Sequence, residues 1–150
     1  MTAKNTEKQA IAVILTNRLA ESGEKLAALA REYPEGKFET VPAAGTRTFG
    51  DVLRHVAFWN LYLAETVRGK KADGSANELP KSQYGTKTLA IRGLTESTSD
   101  AVAALRDLNG GLDAEKAAQA QGIVEHICEH YGQLAVYARL AGVVPPASRS

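Results

Sequence analysis

Ile123-Val124-Glu125-His126-Ile127-Cys128-Glu129-His130-Tyr131-Gly132-Gln133-Leu134 lies inside an apolar-periodic run from about Leu112 to Ala141 that reads as one helix. His126 and His130 are one turn apart and point the same way. On a wheel of about 100° per residue, His130 falls about 40° from His126, Ile123 about 60°, Leu134 about 80° and Ile127 about 100° away. The two histidines therefore share the face of the apolar anchors. The chain has three histidines, and the third, His55, lies in another helical segment. Two imidazoles on one helix and a third on a facing helix make a three-histidine metal site in a bundle core.

The rest of the chain reads as scaffold for this stretch. A first helix is expected from about Thr6 to Arg31, with a capping box from Thr6 to Gln9 and an inward stripe of Ile11, Leu15, Leu19, Leu26 and Leu29. Gly23 weakens it locally without breaking it, and Tyr33-Pro34-Glu35-Gly36 stops it. Thr48-Phe49-Gly50-Asp51 caps a second helix over 48–68, with Asp51 set favourably against the helix dipole. Its inward face carries Val52, His55, Val56, Trp59, Tyr62, Leu63 and Thr66, and its outer face Arg54, Glu65 and Arg68. Gly69 to Gly85 reads as a long polar connection, mobile or functional, that can cover the end of the bundle. The third helix spans 87–108 with Leu94, Val102, Leu105 and Leu108 inward; its weak first half leaves a start near Ser97 as the alternative. Asn109-Gly110-Gly111 ends it, and the fourth helix spans 112–141, closed by Gly142 and Pro145-Pro146 before a loose tail, 147–150. No alternating β-rich run is present. The expected fold is all-α: one four-helix-bundle domain over residues 1–150.

Composition narrows the function classes. At 150 residues and 16.0 kDa the chain can bury one core. A net charge of +1 opposes nucleic acid as a partner, and no segment is apolar enough to span a membrane. The N-terminus lacks a signal-peptide pattern and Cys128 is alone, so there is no disulfide framework; the expected location is cytoplasmic.

Core histidines each satisfied by a separate hydrogen bond are the plainer reading of the site. Three such groups close together need three separate partners, whereas one ion satisfies them all. Three neutral imidazoles leave a divalent ion an open position, and zinc, nickel and ferrous iron all suit them. His126-x-x-Glu129-His130 also matches the inverted zincin pattern, but the chain ends twenty residues later and offers no edge strand for a peptide. Glu129 reads first as a solvated flank charge, with a hydrogen-bond acceptor or base near the site as the alternative. Cys128, about 160 to 200° from the histidines, points away and reads as a small packing residue.

Thr48-Phe-Gly-Asp-Val-Leu-Arg-His55, Val56-Ala-Phe-Trp-Asn60 and His126-x-x-x-His130-Tyr-Gly-Gln-Leu134 together resemble the DinB/YfiT-like superfamily over nearly the whole chain. The resemblance implies an up-down-down-up four-helix bundle with one divalent metal ion held by His55, His126 and His130, and often a homodimer. Some relatives carry Glu where this sequence has His126. It also implies a metalloenzyme; better understood relatives use bacillithiol, mycothiol or glutathione as transferases or in a thiol-dependent isomerase. The functional expectation is a metal-dependent, low-molecular-weight-thiol S-transferase acting on a small electrophile. A metal-dependent hydrolase and a non-catalytic metal-binding stress protein are the alternatives.

Overall fold

A computed structural model describes residues 3–109 and 111–149, so Gly110 of the expected turn and Ser150 of the tail lie outside it. Among the described residues the chain is helical, without strands. The helices are α1 (Ala3–Glu32), α2 (Phe49–Val67), a single-turn α3 (Lys81–Tyr84), α4 (Lys87–Arg106) and α5 (Ala114–Leu140), with 3-10 turns at Glu35–Lys37 and Pro146–Ser148. The third and fourth helices expected from sequence are thus α4 and α5.

Caps set most of the ends. Thr48 Oγ1 accepts from Asp51 N at 3.0 Å and Thr48 N donates to Asp51 Oδ2 at 3.3 Å, a complete capping box that starts α2. Thr86 caps α4 through Leu89 N, which fixes its start at Lys87 rather than near Ser97. Asp113 caps α5 through Lys116 N. At the far end of α5, Gly142 has φ +83°, and the bonds Gly142 N to Arg139 O and Val143 N to Ala138 O complete a Schellman motif. The proposed Thr6 cap is corrected: α1 already runs from Ala3, so Thr6 lies within it.

Pairs of contacts along the helices give their directions. In α1 and α4, Tyr33 O meets Lys87 Nζ, Gly23 meets Thr98, and Lys8 meets Gly111 beyond the end of α4, so the two run antiparallel. Arg54 bonds to Tyr84 O, Asn60 to Thr98 and Arg68 to Asp100, so α2 and α4 run parallel. Lys25 lies over the Tyr131 ring and Arg149 pairs with Glu32, so α1 and α5 run parallel. His55 meets His126 while Thr66 lines a cleft with Gln119, so α2 and α5 run antiparallel. The result is an up-down-down-up helical bundle.

Leu19, Leu26, Leu53, Val56, Leu94, Leu105, Ile127 and Leu134 are buried in the shared core. Gly23 is explained by packing: a Cβ there would come within 2.5 Å of Thr98 Cγ2, so α1 and α4 approach closely only because that atom is missing. Ile11 is 42% exposed and Ala12 packs inward instead, which corrects the stripe at the start of α1. The connection 69–85, expected to be mobile or functional, is ordered. It contains α3, and Leu79 N donates to Arg54 O at 3.2 Å. The expected loose tail carries a 3-10 turn and the Arg149–Glu32 ion pair at 3.1 Å.

Arg54 is the largest correction. The helical wheel puts it outward, yet it is 1% exposed. Its guanidinium donates to Glu39 Oε1 at 2.8 Å and Oε2 at 3.0 Å, to Asp51, and to Tyr84 O at 3.1 Å. Burial penalises the ionised Glu39 and Asp51, but hydrogen bonds from Arg54, joined by Lys81 at Glu39 and Thr48 at Asp51, outweigh it and hold both carboxyls below their usual range. This cluster ties the segments before and after α2 to the helix that bears His55.

Candidate metal centre

α2 presents His55 to α5, which presents His126 and His130 from consecutive turns. The structure brings all three imidazoles together, as their spacing predicts. Their ring centroids lie 4.5 to 5.0 Å apart, and one ligand atom from each falls within 4.8 Å of the others. His126 Nε2 is 2.9 Å from His55 Nε2 and 3.1 Å from His130 Nε2, so the three Nε2 atoms converge.

The outer nitrogens decide which way the lone pairs point. His55 Nδ1 faces the carbonyl of Asn77 at 2.7 Å, and a carbonyl only accepts, so this nitrogen carries the proton. A chain of bonds sets His130 in the same way. Tyr137 OH donates to Arg47 O at 3.1 Å and accepts from Gln133 Nε2 at 2.8 Å. The amide oxygen of Gln133 is thereby turned to His130 Nδ1 at 2.9 Å, which donates to it. Both His55 and His130 therefore aim an Nε2 lone pair at the centre. His126 has one proton to place. On Nε2 it can serve only one neighbour well; on Nδ1 it leaves three lone pairs facing one another. In either case the buried Nδ1 of His126 has no partner among the described residues. Hydrogen bonds within the trio cannot satisfy three converging Nε2 atoms at once, whereas a cation at their focus can; the Nδ1 of His126 lies on the outer side of its ring and takes no part.

The electrostatics agree. Burial lowers the His126 pKa to about 4, helped by the fields of His130, His55 and Arg47. Burial also lowers that of His55, against the opposing bond to Asn77. Both rings are therefore neutral at neutral pH, the state in which imidazole ligates. The donor set is three imidazole nitrogens, and this group can hold a divalent ion.

Four residues around the histidines were not singled out by sequence reasoning. Gln133 is part of the Gly-Gln pair and sits one turn beyond His130, so its wheel position was an available signal. Tyr137, Asn77 and Arg47 gave none, because their roles arise from tertiary contacts. Asn77 lies in the long connection with φ +59°, a left-handed conformation that asparagine tolerates better than most residues. Besides holding His55, it accepts from Trp59 Nε1 through Oδ1 at 2.9 Å, and its neighbour Glu78 pairs with Arg47 at 2.7 Å. The connection 69–85 thus covers the centre and orients a ring within it. Glu129 lies on the solvent side, as expected. Cys128 is exposed, not a packing residue, which corrects its assignment.

The sequence profile of the DinB superfamily matches residues 18–134, most of the chain and all three histidines. The chain belongs to the DinB superfamily. No curated protein matches this DinB-superfamily chain. None of its described helices is long and apolar enough to cross a membrane.

Proposed function

We propose that this DinB-superfamily protein is a divalent-metal-dependent enzyme, with His55, His126 and His130 as the metal ligands, and that it transfers a low-molecular-weight thiol to a small electrophile. The observation that carries this reading is the convergence of three Nε2 atoms, two of them with lone pairs fixed inward by Asn77 and Gln133. Three protein ligands are characteristic of a catalytic centre, since structural zinc usually closes its shell with four. When bound, a divalent ion supplies a Lewis acid that favours the thiolate over the thiol at neutral pH.

The chain's own residues do the rest. Asn77 and the Gln133–Tyr137–Arg47 relay hold two imidazoles in one tautomer and orientation. The segment at Asn77 and Glu78 shields the centre, and the ion pair of Glu78 with Arg47 holds that segment in place. The test is a screen of zinc-, nickel- and iron-loaded protein with glutathione, bacillithiol and mycothiol against a fluorogenic haloalkyl electrophile. Metal-dependent conjugation that His130→Ala abolishes is expected. Loaded protein that conjugates none of these thiols above the uncatalysed rate would contradict the transferase reading.

A further inference from the structure

A cleft of about 180 Å³ runs between α2 and α5, its near end at Trp59 and Ile123, one helical turn from His55 and His126. It continues the two helical faces that carry them. Trp59 and Tyr62 lie one and about two turns beyond His55; Ile123, Gly122 and Gln119 lie one to two turns before His126. Trp59 joins the two places physically, its ring 6.5 Å from that of His55 and 4.9 Å from that of Tyr62. Leu63 completes an almost wholly apolar lining.

Two residues of α5 set what the cleft can accept. Gly122 stands within a 27-residue helix, where glycine is unfavourable relative to alanine, and a Cβ there would meet no atom within 4 Å. Packing does not require the glycine, and a longer side chain would enter the cleft. Gln119 lines the end of the cleft far from His126, but its Oε1 is buried, so the surface the cleft offers a ligand there is apolar.

We infer that this cleft is the specificity pocket for the reacting small molecule. It takes an apolar arm of about the size of a benzene ring, while the reactive head lies at the three histidines. The size follows from volume: an apolar cavity of about 150 Å³ accepts benzene. This inference rests on the metal-centred reading above, since it uses the histidines as the anchor for the head group.

The test uses the full chain loaded with cobalt, titrated with ethanethiol and 2-phenylethanethiol, with visible cobalt absorption as the readout. The phenyl thiol is expected to bind about tenfold tighter than ethanethiol, the low end of what burying an apolar ring gives. In Gly122→Leu the phenyl preference should shrink to about twofold or less, with ethanethiol affinity unchanged. Equal affinities for ethanethiol and the phenyl thiol, or a preference that survives Gly122→Leu intact, overturn the pocket and leave the metal reading standing. A chain that takes up no cobalt, or whose bands ignore both thiols, overturns the metal reading and the pocket with it.

Discussion

His55 and His130 differ from His126 in one respect that bears on mechanism: each has an outer hydrogen bond that fixes its proton, and His126 has none. Gln133 contributes through this positioning, because it touches the ring nitrogen that faces away from the centre. Replacing it should let His130 rotate and change tautomer without removing a ligand atom. Gln133→Ala is expected to weaken divalent-metal affinity by about 10- to 100-fold, the usual effect of losing such a partner. Competition against a chromogenic chelator measures this. Gln133→Glu should recover most of the loss, since a carboxylate oxygen accepts the same proton. An alanine variant with wild-type affinity would mean that the relay from Arg47 through Tyr137 does not orient the ring.

At the scale of elements, α2 is supported on more than one side, and this explains both what the sequence revealed and what it concealed. The capping box at Thr48, the inward placement of His55 and the pairing of His126 with His130 were legible because they follow from local spacing. Arg54 was not, because a helical wheel assumes one wet face. Here the segments carrying Glu39 and Tyr84 cover the side opposite α5, and a cation is buried there against two carboxylates. The role of Asn77 was hidden for the same reason: a loop residue acquires its partner only when the chain folds back. Cys128 was misjudged in the opposite direction, since the outer side of α5 faces water. Arg54→Ala leaves Glu39 and Asp51 without their main partner and removes an anchor of the segments flanking the site. It should destabilise the protein by about 3–5 kcal/mol. Urea denaturation reads this, and a loss below about 1 kcal/mol would contradict a structural role for the cluster.

For the whole molecule, the buried neutral histidines couple stability to pH. The His126 pKa is about 4 in the folded protein and about 6.5 in a free chain, so the unfolded state takes up the proton first as pH falls. The associated stability is fully present above about pH 6.5 and is lost as pH falls toward 4, by up to about 3 kcal/mol, with His55 acting in the same direction. Glu39 and Asp51 lose their contribution at still lower pH, because their pKa values lie below the usual carboxylate range. Thermal unfolding of metal-free protein should therefore show Tm falling from pH 7 to 4, with a shallower fall in His126→Asn. Equal slopes for the two proteins would contradict a neutral, buried His126. Elemental analysis of zinc-supplied protein after desalting, with wild type beside His55→Ala, shows whether three histidines from two helices form one metal site. About one ion per wild-type chain is expected, with a large loss in His55→Ala, because removing the α2 ligand leaves only a pair on α5. A metal-free wild type, or full occupancy in His55→Ala, would rule out that site.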